Sequence, residues 1–344
     1  MNKTKLGLGL IGAGRIGTFH AETIVERLFE AELAGIADPA PGAAEKLATA
    51  LGVGFHTPDI DALIADPRIG ALVVASPARF HTDLVLRACA ASKSVFVEKP
   101  MALTLADADR CTEAAAKAGV VLQVGFNRRW DLPFAEGRRA IEAGRIGTPQ
   151  LLRSVTRDPG PFGADPAKIP QWTIFYETLI HDFDTLNWLN AGAQPVEVFA
   201  KADALLRPDA KASGHLDTAV VTITYDNGAI AVAEANFSAL YGYDIRGEVF
   251  GSEGMVTMGE MERSSLRLFG AHGVQADTLR MDTERFLASY TAEFRAFVAA
   301  VRAGKGETQG PGGRDAKLAL AVALAAIRSV ETGAPVQMAQ ILGA

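Results

Sequence analysis

The sequence predicts an α/β chain in two parts: an N-terminal doubly wound parallel (Rossmann) sheet, then an α+β domain built on an open, mostly antiparallel sheet. Three observations carry this. Short apolar runs alternate with alanine-rich helical patterns through the first 125 residues, as in a parallel sheet wrapped by helices. A glycine-rich turn, Gly12-Ala13-Gly14-Arg15-Ile16-Gly17, directly joins the first run to the first helix. Further on, the runs lengthen and alternate with period two, the pattern of a sheet with one open face. At 344 residues the chain exceeds one typical core, and the expected division is 1–125, which carries the glycine turn, and 126–344.

In the first part, Leu6–Ile11, Glu32–Ala37, Ala71–Ala75, Ser94–Val97 and Val120–Val124 read as buried parallel strands. Helices are expected between them at 15–29, 41–51, 59–65, 80–91 and 104–118. In the second part the expected strands are Leu151–Thr156, Val196–Ala204, Ala219–Tyr225, Ala229–Phe237, Tyr243–Gly251 and Gly254–Met258. Asp226-Asn227-Gly228 is a hairpin signal between two of them. Two helices, about 284–303 and 313–332, close the chain, with Gly310-Pro311-Gly312-Gly313 at their joint.

Composition excludes several function classes. The chain is 49% hydrophobic and 22% charged with a net charge of -6, an ordinary globular composition without a basic run for nucleic acid. No uninterrupted apolar run reaches the roughly 18 residues that span a bilayer. Lysines ahead of Leu6–Ile11 imitate a signal peptide, but the glycines at 7, 9, 12 and 14 oppose that reading. Cys89 and Cys111 lie in alanine-rich helical patterns and read as core residues in a reducing compartment, not as a disulfide or metal pair. The expectation is a cytoplasmic protein without a metal.

The glycine turn has a physical reading. Gly12 permits the tight turn, Gly14 lets a pyrophosphate approach the backbone, and Gly17 lets helix and strand pack closely. The phosphates would then meet unpaired N–H groups at the helix start. Asp38 ends the second strand, where a carboxylate meets the adenosine ribose hydroxyls. It favours NAD over NADP because it repels a 2′-phosphate, and Pro39-Ala40-Pro41 supplies no arginine to offset that. Arg15 leaves some NADP use open.

Lys99 stands at the end of the buried run Ser94–Val97, between Glu98 and Pro100. Ligands of open α/β sheets collect beyond such strand ends. An ammonium there can stabilise a forming alkoxide. A solvated strand end is the plainer reading. Farther on, residues 176–189 have helical period, which sets Glu177, His181, Asp184 and Trp188 on one face and Leu179, Phe183 and Leu186 on the other. An imidazole in that stripe can accept an alcohol proton, with Glu177 supporting it. A solvent-facing i,i+4 pair fits the same spacing.

These motifs, with Ser76-Pro77 and His81, resemble the glucose–fructose oxidoreductase / inositol dehydrogenase / MocA (Gfo/Idh/MocA) family over essentially the whole chain. Two further blocks are similar to its inositol 2-dehydrogenase branch: Tyr241-Gly242-Tyr243-Asp244-Ile245 with Glu248 to Gly254, and Gly125 to Asp131. The resemblance implies NAD-dependent oxidation of a secondary hydroxyl of a cyclic polyol or sugar. Myo-inositol, giving the 2-keto form, comes first, ahead of scyllo-inositol and a glucose-type aldose.

It further implies that Lys99 contacts the reacting hydroxyl, His181 accepts its proton and Glu177 binds a neighbouring hydroxyl. The cofactor would meet Gly12, Gly14, Arg15, Ile16, Gly17, Asp38, Ser76, Pro77, His81, Glu98 and Lys99. Arg128, Arg157, Asp158, Trp172 and Tyr243 would complete the polyol pocket. Copies would pair through the open face of the C-terminal sheet, as dimers or a homotetramer. Glu177 departs from the family's usual aspartate. Thr156-Arg157-Asp158 stands where some inositol dehydrogenases carry histidine and asparagine. Two rivals remain, an NAD-assisted glycosidase and a non-catalytic NAD- or sugar-sensing regulator. The presence of both Lys99 and His181 weighs against the regulator.

Overall fold

Short runs of branched apolar residues, too short for helices and closed by glycine or charge, become the central strands. The structure, a computed structural model, describes residues 4–160, 169–304 and 306–343. Its first elements are β1 (Leu6–Ile11), α1 (Arg15–Arg27), β2 (Ala31–Ala37), α2 (Ala43–Leu51), β3 (His56–Thr57), α3 (Ile60–Ala65), β4 (Ala71–Val74), α4 (His81–Ala90), β5 (Ser94–Val97), α5 (Leu105–Ala118) and β6 (Leu122–Val124). The six strands run parallel in the order β3-β2-β1-β4-β5-β6. The order reverses between β1 and β4, which is the switch point where such sheets bind ligands. Each expected strand is present within a residue or two of its bounds; the two-residue β3 carries no readable pattern.

Next come α6 (Leu132–Glu142), β7 (Pro149–Arg157), α7 (Ile180–Leu189), β8 (Pro195–Asp203), β9 (Thr218–Tyr225), β10 (Ile230–Asn236), β11 (Asp244–Gly251), β12 (Met255–Met258), β13 (Leu268–Gly270), β14 (Gly273–Gln275) and α8 (Asp282–Arg285). The chain closes with α9 (Leu287–Ala303), α10 (Gly313–Thr332), β15 (Val336–Gln337) and α11 (Met338–Leu342). The second sheet has the order β12-β11-β7-β10-β9-β8-β15. Only the β7–β10 pair is parallel among its described neighbours. Gly228, at φ +84°, makes the β9–β10 turn that Asp226-Asn227-Gly228 announced.

The compact units do not follow a single cut. Residues up to Trp130 join Leu287–Leu318, and Asp131–Phe286 joins the chain from Ala319 on. The expected boundary therefore needs a correction: α9 belongs with the parallel sheet. Phe294, Phe297 and Val298 of α9 are buried in one cluster with Leu8, Leu10, Val73 and Phe96. Arg302 on α9 donates to the carbonyls of Thr4 and Glu30 at 2.6 and 2.8 Å. Sequence distance gave no sign of this, because an apolar helix face does not name the sheet that it covers.

In the second unit, residues of even number on β7 face inward and odd ones outward. Leu152, Ser154 and Thr156 are buried, whereas Leu151 and Arg153 are exposed. Small residues on the neighbouring strand β10, Ala231, Ala233 and Ala235, are buried on the inner face. No described helix is long and apolar enough to cross a membrane. Cys89 and Cys111 are both buried and free. Burial pushes their thiols up to about 11 and about 12, so both stay protonated and unreactive near neutrality.

Candidate active site

The glycine turn is shaped by contacts no other residue could make. Gly12 has φ +104°, and a Cβ there would lie 2.6 Å from the Ala75 carbonyl oxygen. A Cβ on Gly17 would lie 2.0 Å from the Gly12 carbonyl oxygen. Gly14 differs: its φ is -76°, and a Cβ would meet nothing within 4 Å. Packing does not demand a glycine at 14, and the bare backbone leaves room for the close approach of a ligand. No side chain caps the start of α1, and no acid lies in its first turn. Its N–H groups and the helix dipole thus favour an anion.

A cavity of about 540 Å³ opens at this edge of the sheet. Ile11, Gly12 and Gly14 line it after β1, Asp38 after β2, and Ala75, Ser76 and Pro77 after β4. Arg79, Phe80 and Arg87, which belong to no motif, complete one wall, and the Arg79 guanidinium lies over the Phe80 ring at 4.5 Å. Asp38 uses both oxygens on its own turn, accepting from Ala13 N at 2.7 Å and Ala40 N at 2.8 Å. That fixes the carboxylate at the cavity wall with lone pairs to spare for ribose hydroxyls. Ser76 Oγ is a buried hydroxyl without a hydrogen-bond partner in the protein. Arg15 is exposed, while Ile16 packs against the core cluster.

His81 is buried with its ring spent on backbone. Nδ1 lies 2.8 Å from Pro100 O, and Nε2 lies 2.7 Å from Ser76 O. It clasps the segments after β4 and β5 together. Lys99 is half-buried just past β5, and Glu98 beside it is buried. Burial pushes the Glu98 carboxyl up, but its hydrogen bond with His20 and the electrostatic pull of His20, Lys99 and His81 outweigh that, and the net shift is downward. Arg128 is also buried, in the short turn Asn127–Trp130 that follows β6.

The second unit holds the other predicted residues. Glu177 sits in a π-helical segment, Ile174–Leu179, that runs directly into α7. Such segments frequently occur at functional sites. The wider turn breaks the regular 100° progression, so the single face expected for Glu177, His181, Asp184 and Trp188 needs correction. Glu177, His181 and Trp188 are half-buried, whereas Asp184 is buried. Leu179, Phe183 and Leu186 are fully buried, as their spacing predicts. Asp182, next to the histidine, was not singled out in the sequence. It accepts hydrogen bonds from Ser154 Oγ at 2.5 Å and Thr156 Oγ1 at 2.7 Å, tying α7 to β7. The readable signal was two inward-facing hydroxyls on one strand.

Arg157 falls on the other face of that strand. It pairs with Glu234 of β10 at 2.6 Å, as Arg153 does. Strand parity therefore separates it from the α7 side, and its expected place in the polyol pocket is not supported by its contacts. Asp158 closes a turn, accepting from Gly160 N at 2.8 Å. Tyr243 is half-buried and stands edge-on to Phe286. Trp172 packs near Phe175 and has φ +62°, a left-handed conformation that costs a tryptophan strain.

A parallel sheet, a glycine turn and a cavity at the switch point make the first unit a dinucleotide-binding oxidoreductase domain. Comparison with known proteins agrees. A family model described as "Oxidoreductase family, NAD-binding Rossmann fold" matches residues 6–126, and the GFO/IDH/MocA C-terminal domain matches 134–257. The chain belongs to the Gfo/Idh/MocA oxidoreductase family. It is 37% identical to a myo-inositol 2-dehydrogenase of Thermotoga maritima, over 98% of this chain and 99% of that protein. It is 35% identical to an NAD-dependent scyllo-inositol 2-dehydrogenase of Bacillus subtilis, over 96% and 95%. A crystal structure of scyllo-inositol dehydrogenase from Lactobacillus casei, with bound NAD(H) and scyllo-inositol, superposes with a TM-score of 0.92 at 26% identity, covering 98% of this chain and all of that one.

The cofactor is NAD, and the residues fit it. The open side of Gly14 and the uncapped start of α1 suit the pyrophosphate, Asp38 suits the ribose hydroxyls, and Ser76 offers an unspent hydroxyl in the same cavity.

Proposed function

We propose that this enzyme oxidises a secondary ring hydroxyl of an inositol, with myo-inositol to its 2-keto form as the first choice and scyllo-inositol as the second. Identity of 35–37% to inositol 2-dehydrogenases along nearly the whole chain carries the reading. When bound, NAD supplies the acceptor for the hydride that leaves the carbinol carbon. His181 takes the hydroxyl proton, a task suited to an imidazole near neutral pH. Lys99 donates to the oxygen and stabilises its developing charge. Glu177 binds a neighbouring hydroxyl and supports the charged imidazole. The extra methylene of glutamate, in a π-helical segment, sets which neighbouring hydroxyl is met. Arg128, Asp158, Trp172 and Tyr243 are the remaining candidates for the polyol.

A panel of inositol stereoisomers and aldoses, each with NAD and NADP, tests this through the absorbance of the reduced cofactor. The reading fails if no inositol is oxidised faster than glucose. Release of free sugar without net cofactor reduction would favour an NAD-assisted glycosidase instead.

Self-association through the open sheet face belongs to the same proposal. Met255, Phe250, Leu151 and Ile230 are register neighbours across four strands, and each is 47–51% exposed. An apolar row of this kind marks a contact surface. Light scattering of the protein and of Phe250→Asp checks whether the row joins copies. The buried free thiols support a reducing, cytoplasmic setting.

A further inference from the structure

His20 lies three residues beyond the last glycine of the turn, on the buried side of α1. It is fully buried, and four aromatic rings surround it: Phe19, Phe96, Tyr290 and Phe294, with centroids 5.0–5.9 Å away. A leucine or phenylalanine would suit such a cage, and a polar ring costs energy there unless it is hydrogen-bonded. One nitrogen is. Nε2 lies 2.7 Å from Glu98 Oε1, while Nδ1 has no partner in the protein. Glu98 is a carboxylate and only accepts, so Nε2 carries the hydrogen and Nδ1 is a bare lone pair. A second proton on Nδ1 would be a buried donor without an acceptor in the protein, which is unfavourable.

The other carboxylate oxygen, Glu98 Oε2, accepts the backbone N–H of Lys99 at 3.2 Å. Gly125 leaves room for the group, since a Cβ there would stand 3.2 Å from three carboxyl atoms. On the far side of the lysine, His81 holds the carbonyl of Pro100. The lysine backbone is thus fastened before and after, by two buried histidines on different helices.

We propose that His20 is a positioning residue for Lys99: acting through Glu98, it fixes the lysine backbone at the end of β5 and hence the point from which the ammonium acts. This rests on the reading of Lys99 as the oxyanion donor.

The test compares His20→Leu, His20→Gln, His20→Asn, Lys99→Met and the His20→Leu/Lys99→Met double variant. Glutamine can place an amide N–H where Nε2 stands; leucine has none, and asparagine is too short. Misplaced catalytic groups lose about 10–100-fold in rate. The leucine and asparagine variants should show that loss in kcat with NAD affinity unchanged, and glutamine should recover most of it. The double variant should be no slower than Lys99→Met alone.

Two readouts are independent of turnover. Exchange of the Lys99 amide hydrogen should quicken in the leucine variant and not in the glutamine variant. Nitrogen spectra of the unmodified protein should show His20 bare at Nδ1. Wild-type kcat in His20→Leu, glutamine no better than leucine, additive losses in the double variant, or a protonated Nδ1 would each overturn the proposal. Should His20→Leu fail to fold, the glutamine–asparagine contrast decides. Wild-type turnover in Lys99→Met would instead reject the role of Lys99 itself, leaving the amide-exchange result to judge His20.

Discussion

The two units shape their sites by different means. In the first, the site is made of backbone: glycines whose missing side chains create close approaches, strand ends at a switch point, and N–H groups at the start of α1. In the second, it is made of side chains whose direction depends on strand parity and on a π-helical irregularity. A backbone site is written locally and is tolerant of its surroundings. A side-chain site moves whenever register or helical pitch changes. The expected division of labour is that the glycine turn and Asp38 of the first unit govern cofactor affinity, whereas Lys99 and the side chains of the second unit govern turnover.

The sharpest separation comes from one variant in each unit. His181→Ala should cut kcat about 10²–10⁴-fold with NAD affinity unchanged. Asp38→Ser should weaken NAD more than NADP, because the ribose acceptor and the phosphate-repelling charge disappear together. Cofactor titrations and initial rates on both proteins check this. Equal loss of NAD affinity in the two variants would erase the contrast.

Within the glycine turn, Gly17→Ala and Gly14→Ala should part ways. A Cβ at 17 collides with the Gly12 carbonyl oxygen at 2.0 Å and should destabilise the fold by about 1–3 kcal/mol. A Cβ at 14 meets open space, so its melting temperature should hold while NAD affinity falls. Thermal melts with and without NAD measure both. A stable Gly17→Ala, or undiminished NAD binding by Gly14→Ala, breaks the backbone account.

In the second unit, Thr156→Val removes one of the two hydroxyls that Asp182 accepts from. Leaving a buried carboxylate short of a donor should cost about 1–3 kcal/mol, read by denaturant unfolding, with kcat lowered as α7 loosens. An unchanged unfolding midpoint would mean that this tie contributes nothing.

Glu98 gives the first unit a pH dependence. Its carboxyl is held below the usual range, so the folded chain binds that proton more weakly than the unfolded chain does. The contribution is therefore present at neutral pH and is lost as pH falls through the folded-state value. Melting temperature should drop on acidification in the wild type and drop less in Glu98→Gln; parallel curves would refute this. The smallest effect is expected at Arg157. Its ion pair with Glu234 is partly exposed and worth less than about 1 kcal/mol, so Arg157→Ala should leave kcat and KM close to wild type. A large rise in KM for the polyol would return Arg157 to the pocket.

Much of this was legible beforehand, for identifiable reasons. The strands β1 and β5 have the bounds their apolar runs suggest, and α10 spans the expected 313–332, since burial on both faces or a long apolar stripe leaves one reading. Gly12, Gly17 and Asp38 were legible because a turn fixes its own chemistry within a few residues. The helix α6 escaped notice, as did the separation of Arg157 from Thr156. The faces of a strand differ by one residue, and only pairing tells which is covered. His20 was silent as well: a histidine on a helix looks the same whether it meets water or Glu98, 78 residues away.

The sequence alone determined the alternation of strand and helix, the glycine turn, the acid after β2 and the lysine after β5. Each of these is set by steric and hydrogen-bonding demands within a short stretch of chain. The tertiary structure decided that α9 completes the first core, that β7 offers its hydroxyls to Asp182, and that His20 stands behind the lysine. Such pairings join residues far apart in the chain, and their energies arise only when packing excludes water from both partners at once.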